Sequence, residues 1–239
     1  MERLKSWLKN NIHRFFAILL SLVCTLNVIK ITCEAKKARV VYSSGSGDEM
    51  RIALTFDDGP HPYHTGKILD ILKRESVKAT FFVVGENVQY YPDMLDRIIS
   101  EGHEVGNHTD HHTFLTGLGE SEVVKAIDGC DDAIYHHDEY STRLLRPPGG
   151  RYDSNVLQLC ALRDYTVVLW SIDTRDWAGT SAAEIENNIF QNIKDGDIIL
   201  MHDYVSRRSH TEESLENVIP RLKQMGYRFV TVSELIEGK

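Results

Sequence analysis

Residues 52–60 run Ile52-Ala53-Leu54-Thr55-Phe56-Asp57-Asp58-Gly59-Pro60, a short β-rich apolar stretch that stops on two adjacent acids and a Gly-Pro turn. Such a run reads as a strand, with the acids at its buried end. Similar runs recur at Ala79–Val84, Glu104–Gly106, Leu144–Leu145, Thr166–Ile172, Ile198–Met201 and Phe229–Val232. Amphipathic helices lie between them. Thr65–Glu75 gathers Ile68, Leu69, Ile71 and Leu72 on one face, and Ser214–Met225 does the same with Leu215, Val218, Ile219 and Leu222. About seven strands, each leading toward a helix, predict parallel pairing in an α/β barrel or a doubly wound sheet. With 239 residues, 42% of them hydrophobic, and no internal repeat, the chain supports one core.

The polar residues suited to chemistry follow these strands. Asp57 and Asp58 follow the first, Asn107 and His108 the third, Arg146 the fourth, Asp173 and Asp176 the fifth, and His202 the sixth. In a parallel barrel such positions share the C-terminal rim, where active sites are built. Two acids at a buried strand end repel each other unless a metal holds one charge; the alternative is a turn-forming pair before Gly59-Pro60. His108-Thr109-Asp110-His111-His112 spaces two imidazoles four residues apart, which on a helical turn points both one way, with His111 as the alternative partner if the turn is irregular. Asp58, His108 and His112 then make a one-carboxylate, two-histidine set typical of catalytic divalent sites.

The remaining groups divide the work of a hydrolysis. Asp57 is the candidate base for a water, and Arg146 would orient it through a charge-assisted hydrogen bond. The backbone N–H of Gly149, within Pro147-Pro148-Gly149-Gly150, could face a developing oxyanion. His202 is the candidate acid for a leaving amine, with Asp176 favouring its imidazolium, unless it is a hydrogen-bonded core residue. Trp177, Leu200 and Tyr152 either form an apolar pocket for an acyl methyl or simply pack. Together these parts describe amide or ester hydrolysis.

The first 35 residues differ from the rest. Arg3, Lys5, Lys9 and Arg14 precede an apolar run from Phe15 to Ile29, the layout of a signal peptide cleaved after Ala35 or of a retained N-terminal membrane anchor. Either way the protein is expected to be secreted or held at the cell surface. Residues 36–50, rich in Ser and Gly, read as a linker, and 51–239 as the catalytic domain. The full chain carries a net charge of −8; the leader holds five Lys/Arg and two Asp/Glu, so the remainder is three charges more negative. Such a surface repels phosphate backbones and anionic lipid, so nucleic acid is excluded as a partner and membrane contact is left to the leader. Outside the leader only Cys130 and Cys160 remain, in separate predicted helices, and they read as buried, idle thiols. A monomer is expected.

Residues 50–235 resemble the polysaccharide deacetylase family, the carbohydrate esterase group with the NodB homology domain. Five motifs occur in the family's order: Thr55-Phe56-Asp57-Asp58-Gly59-Pro60, His108-Thr109-Asp110-His111-His112, Arg146-Pro147-Pro148-Gly149-Gly150, Asp173-Thr174-Arg175-Asp176-Trp177 and Leu200-Met201-His202. The resemblance implies a distorted (β/α) barrel with fewer than the eight strands of the full barrel. It also implies Asp57 as base paired with Arg146, Asp58, His108 and His112 as ligands of Zn2+ or a similar ion such as Co2+, and His202 as acid paired with Asp176. The motif forms resemble members acting on N-acetylglucosamine units of peptidoglycan or of chitin-like polymers. In one departure, the third motif often has an aromatic residue where this chain has Gly149, so the family's substrate preference is not carried over there. Two other readings compete: an O-acetyl ester or small-amide hydrolase, and a silent carbohydrate-binding protein, which would leave gaps in the polar set.

Overall fold

The computed structural model describes residues 39–41, 49–204 and 209–237. The leader expected over residues 1–35 lies outside them. Among the described residues no helix is long and apolar enough to cross a membrane.

In chain order the strands are β1 (Val40–Val41), β2 (Arg51–Asp57), β3 (Thr80–Val83), β4 (Glu104–Asn107), β5 (Leu144–Leu145), β6 (Thr166–Val168), β7 (Ile172–Asp173), β8 (Ile198–His202) and β9 (Arg228–Phe229). The helices are α1 (His64–Glu75), α2 (Gly85–Tyr90), α3 (Pro92–Ser100), α4 (Glu120–Asp138), α5 (Ser154–Leu162), α6 (Ala182–Asn192), α7 (Thr211–Gln224) and α8 (Val232–Glu237). All strand pairs are parallel, in the order β1-β6-β5-β4-β3-β2-β8-β7, with β9 beside β2. This is the distorted (β/α) barrel, with two corrections to the sequence reading.

The run Thr166–Ile172 is not one strand. β6 lies near one end of the strand path and β7 at the other, so residues 169–171 carry the chain across the gap where a closed barrel would have its last ladder. The carbonyls freed by that break need donors. Arg146 provides them, with Nε donating to the Val168 carbonyl at 3.3 Å and one terminal nitrogen to that of Leu169 at 3.1 Å. The second correction is to the linker: Val40–Val41 pair with Val167 and Val168, so the folded domain starts before Arg51.

β2 is buried along its whole length, because strands flank it on both edges and helices cover its outer face. Its Ile52, Leu54 and Phe56 meet the faces of α1 and α7 in the largest core cluster, with the Phe56 and Phe81 rings stacked 5.0 Å apart. A second cluster lies under α4 and α5. Cys130 and Cys160 are buried, unpaired thiols whose pKa values are pushed up by that burial.

Candidate active site

Parallel register brings the strand ends together. Asp57, the last residue of β2, is the register partner of His202, the last of β8. Asp57 is 3% exposed, and its Oδ1 accepts a 2.6 Å hydrogen bond from the Arg146 guanidinium, which also donates to Thr55 Oγ1 at 2.8 Å. Arg146 is itself fully buried, stacked over Phe82 at 4.1 Å.

Asp58 leaves the strand with φ 77°. Its Oδ1 lies 3.3 Å from Nε2 of both His108 and His112, and the three donor atoms fall within 4.8 Å of one another. His108 Nδ1 lies 2.7 Å from the Arg146 carbonyl, so its N–H faces that oxygen and Nε2 is left for the cradle. Asp58 Oδ1 is buried without a hydrogen-bond partner among the described residues. An orphaned carboxylate oxygen beside two converging imidazoles suits a divalent cation. The residues fit the ion.

The helical turn expected for residues 108–112 is corrected. They form a loop in which Thr109 (φ 68°) and His112 (φ 52°) are left-handed. Asn107 accepts from the Thr109 N–H at 2.8 Å and Thr109 Oγ1 from the Thr113 N–H at 2.8 Å, so side chains set the reversal that brings His112 back over His108. His111 points away, toward Glu86 and Asp110.

His202 Nδ1 sits 2.8 Å from Asp176 Oδ1, leaving Nε2 for the cleft. Asp176 also accepts from the His202 N–H, the Trp177 N–H and the Thr211 hydroxyl, at 2.8, 3.0 and 2.6 Å. Burial opposes the imidazolium, but the hydrogen bond and charge of Asp176, with the charges of Asp57 and Asp58, outweigh it and push His202 up to about 9.

Asp57, Asp58, His108, His112 and His202 line a cleft of about 460 Å³ together with Gly149, Leu200 and Trp177. Gly149 is left-handed (φ 62°) and its N–H finds no acceptor among the described residues, whereas the Gly150 N–H closes the turn on Pro147. Tyr152 is a correction: it does not line the cleft but packs against the second core cluster.

The structure adds residues that the sequence reading did not single out. Phe114, Arg151 and Trp170 line the cleft. A Cβ on Gly149 would lie 3.0 Å from Phe114 Cε1, so the Phe114 ring stands where a side chain at 149 would begin. Asp203 clasps the chain on both sides of Asp58, its N–H donating to the Asp57 carbonyl at 3.1 Å and its Oδ1 accepting from the Gly59 N–H at 3.0 Å. Thr65 donates to its other oxygen at 2.5 Å. Burial pushes Asp203 up to about 7, with the charge of Asp58 adding to it and the hydrogen bonds from Thr65 and Gly59 pulling the other way.

A proton acceptor and an aspartate-backed imidazole beside one cation cradle, at the C-terminal rim of an open parallel barrel, are machinery for hydrolysing an amide or ester. The comparisons narrow this class. The polysaccharide deacetylase family model matches residues 44–168. A peptidoglycan-N-acetylglucosamine deacetylase of Bacillus cereus is 40% identical over 195 residues, which are 80% of this chain and 91% of that protein. The crystal structure of a peptidoglycan N-acetylglucosamine deacetylase bound to 4-naphthalen-1-yl-N-oxidanyl-benzamide superposes with TM-score 0.79 at 38% identity, over 84% of this chain and 94% of the other. A family 4 acetyl xylan esterase from Clostridium thermocellum, in complex with a cobalt ion, gives TM-score 0.73 at 32% identity, over 78% and 90%. The chain belongs to the polysaccharide deacetylase family, an enzyme family of carbohydrate deacetylating hydrolases.

Proposed function

We propose that this enzyme hydrolyses the N-acetyl groups of amino sugars in a cell-wall polysaccharide, N-acetylglucosamine units of peptidoglycan first and chitin oligomers next. The observation that carries the reading is the convergence, at one cleft, of the Asp58–His108–His112 cradle with Asp57, held by Arg146, and His202, held by Asp176. The B. cereus relative, named for the same reaction, supports the substrate class.

A divalent ion held by Asp58, His108 and His112, Zn2+ by preference or Co2+, would supply Lewis acidity and acidify water. Asp57 takes the proton of the attacking water, and Arg146 holds its carboxylate in place. The free N–H of Gly149 donates to the oxyanion. His202, kept protonated by Asp176, gives its proton to the departing amine. Leu200 and Trp177 border the space for the acetyl methyl. The leader over residues 1–35 places the enzyme outside the cytoplasm in this reading, cut near Ala35 or tethered by it.

Acetate release from peptidoglycan, chitin oligomers and acetylxylan, with and without chelator, tests the proposal. Release from the first two, abolished by chelation and restored by Zn2+ or Co2+, is expected. Release from acetylxylan alone would show an O-acetyl esterase instead.

A further inference from the structure

Arg151 differs from the other charged groups of the cleft. Asp57 is neutralised by Arg146, Asp58 belongs to the cation cradle, and Asp173 accepts from the Arg175 N–H at 2.9 Å. Arg151 lines the same cleft with its guanidinium 5.3 Å from the centre of the Phe114 ring, and no acid among the described residues pairs with it. Phe114 in turn meets His112 edge-on at 5.8 Å, so this cation stands two ring contacts from the cradle. The aromatic face restrains the planar fork and leaves its edge free. A planar, weakly hydrated fork of N–H donors matches a carboxylate better than a hydroxyl.

We propose that Arg151, steadied on Phe114, binds a carboxylate carried by the glycan beside the sugar being deacetylated, making Arg151 a specificity-determining residue for acidic over neutral polymers. This rests on the deacetylase reading above. Neutral chitin-type chains offer no such group. Peptidoglycan offers two sources, the lactyl carboxylate of an adjoining muramic unit that carries no stem peptide and the acids of a stem peptide where one is attached. Among the described residues Arg151 makes no hydrogen bond or ion pair with Asp57 or His202, whose partners are Arg146 and Asp176, and this assigns its effect to binding and not to the chemical step.

The test compares the wild type with Arg151→Gln and Arg151→Lys on four tetrasaccharides. These are chitotetraose, a peptidoglycan glycan with free lactyl carboxylates, the same glycan with those carboxylates methylamidated, and the same glycan bearing stem peptides. Expected is a roughly tenfold fall, in Arg151→Gln, in the ratio of kcat/KM on acidic glycan to that on chitotetraose, carried by KM, eased by raised salt in the wild type and partly rescued by Arg151→Lys. A fall confined to free lactyl groups, or to peptide-bearing glycan, supports the proposal and names the source. An unmoved ratio, whether all substrates suffer equally or none does, overturns it while leaving the deacetylase reading intact. Failure of the wild type to release acetate from any of the four would overturn that reading, and this proposal with it.

Discussion

Asp57 and Phe114 border the same cleft. One is 3% exposed and gripped by a buried arginine, while the other is 49% exposed and rests between His112 and Arg151. The floor represented by Asp57 is built from strand ends. There, register places Asp57 beside His202, and a partner locks each group: Arg146 for Asp57, Asp176 for His202, the Arg146 carbonyl for His108. The wall is built from loops and a short 3-10 turn over Asp176–Ala178, with half-exposed rings at Phe114 and Trp177. A protein needs sub-ångström constancy where protons move and tolerance where sugars are gripped, so reacting groups sit on the sheet and selectivity on the loops.

If that division is right, the largest effect belongs to the floor. Arg146→Met removes a fully buried charge and leaves Asp57, Thr55 and two β6–β7 carbonyls without their donor. A loss of about 3–5 kcal/mol in urea unfolding is expected, with activity lost as well. The double variant Asp57→Asn/Arg146→Met should recover part of the stability and none of the activity. Strict additivity of the two changes would show that the pair is not coupled.

A second floor prediction concerns chemistry without loss of fold. His202→Ala should cost roughly 10²-fold or more in kcat on an N-acetyl sugar, and much less on an aryl acetate, whose phenolate leaves unaided. Because His202 is pushed up to about 9, activity on the amide should fall as pH rises through about 9. Asp176→Asn should move that limb down toward the ordinary 6.5. The linkage sign agrees: a raised imidazole pKa contributes stability that is complete below 6.5 and lost as pH passes about 9. An alkaline limb unmoved by Asp176→Asn would remove His202 from the acid role.

Asp203 lies between floor and wall in expected effect. Asp58 is held in a left-handed conformation, and Asp203 grips the backbone on either side of it. A Cβ on Gly59 would collide with the Asp203 carboxylate, so no other residue fits at 59 without opening this clasp. Asp203→Asn presents an amide that cannot accept from both the Gly59 N–H and Thr65. Affinity for Co2+, read by spectroscopic titration, should drop about tenfold. Affinity equal to that of the wild type would mean that the strand end holds Asp58 without help.

The floor was legible in the sequence for the same reason that it is rigid. A buried parallel strand shows as an apolar run, and a polar residue directly after such a run can only face the rim, so Asp57, Asp58, His108, Arg146 and His202 announced themselves. What was not legible depended on distance along the chain or on turn geometry. Nothing in Thr166–Ile172 marks the break into β6 and β7, because the break is enforced by where the barrel fails to close. The His108–His112 spacing is the same on a helix and on a side-chain-pinned loop. Thr211 and Asp203 meet partners 35 and 144 residues away. Tyr152 stands one position past a cleft residue, but its ring joins the second core cluster.

The smallest expected effect tests the wall. Phe114 joins none of the core clusters, so Phe114→Ala should shift the unfolding midpoint by about 0.5 kcal/mol or less and leave Co2+ affinity unchanged. Its ring nevertheless occupies the space beside Gly149 and steadies Arg151, so KM should rise a few-fold with kcat nearly constant, as for an interaction made equally in ground and transition states. Gly149→Ala supplies the control from the other side. Its left-handed φ penalises any side chain by about 1 kcal/mol, and the new Cβ presses on the Phe114 ring at 3.0 Å. Combined with Phe114→Ala, the contact part of that penalty should vanish and the backbone part remain, giving a double variant more stable than the sum of the two changes. A Phe114→Ala enzyme that loses kcat as heavily as His202→Ala would place the ring with the reacting groups and erase the distinction between floor and wall.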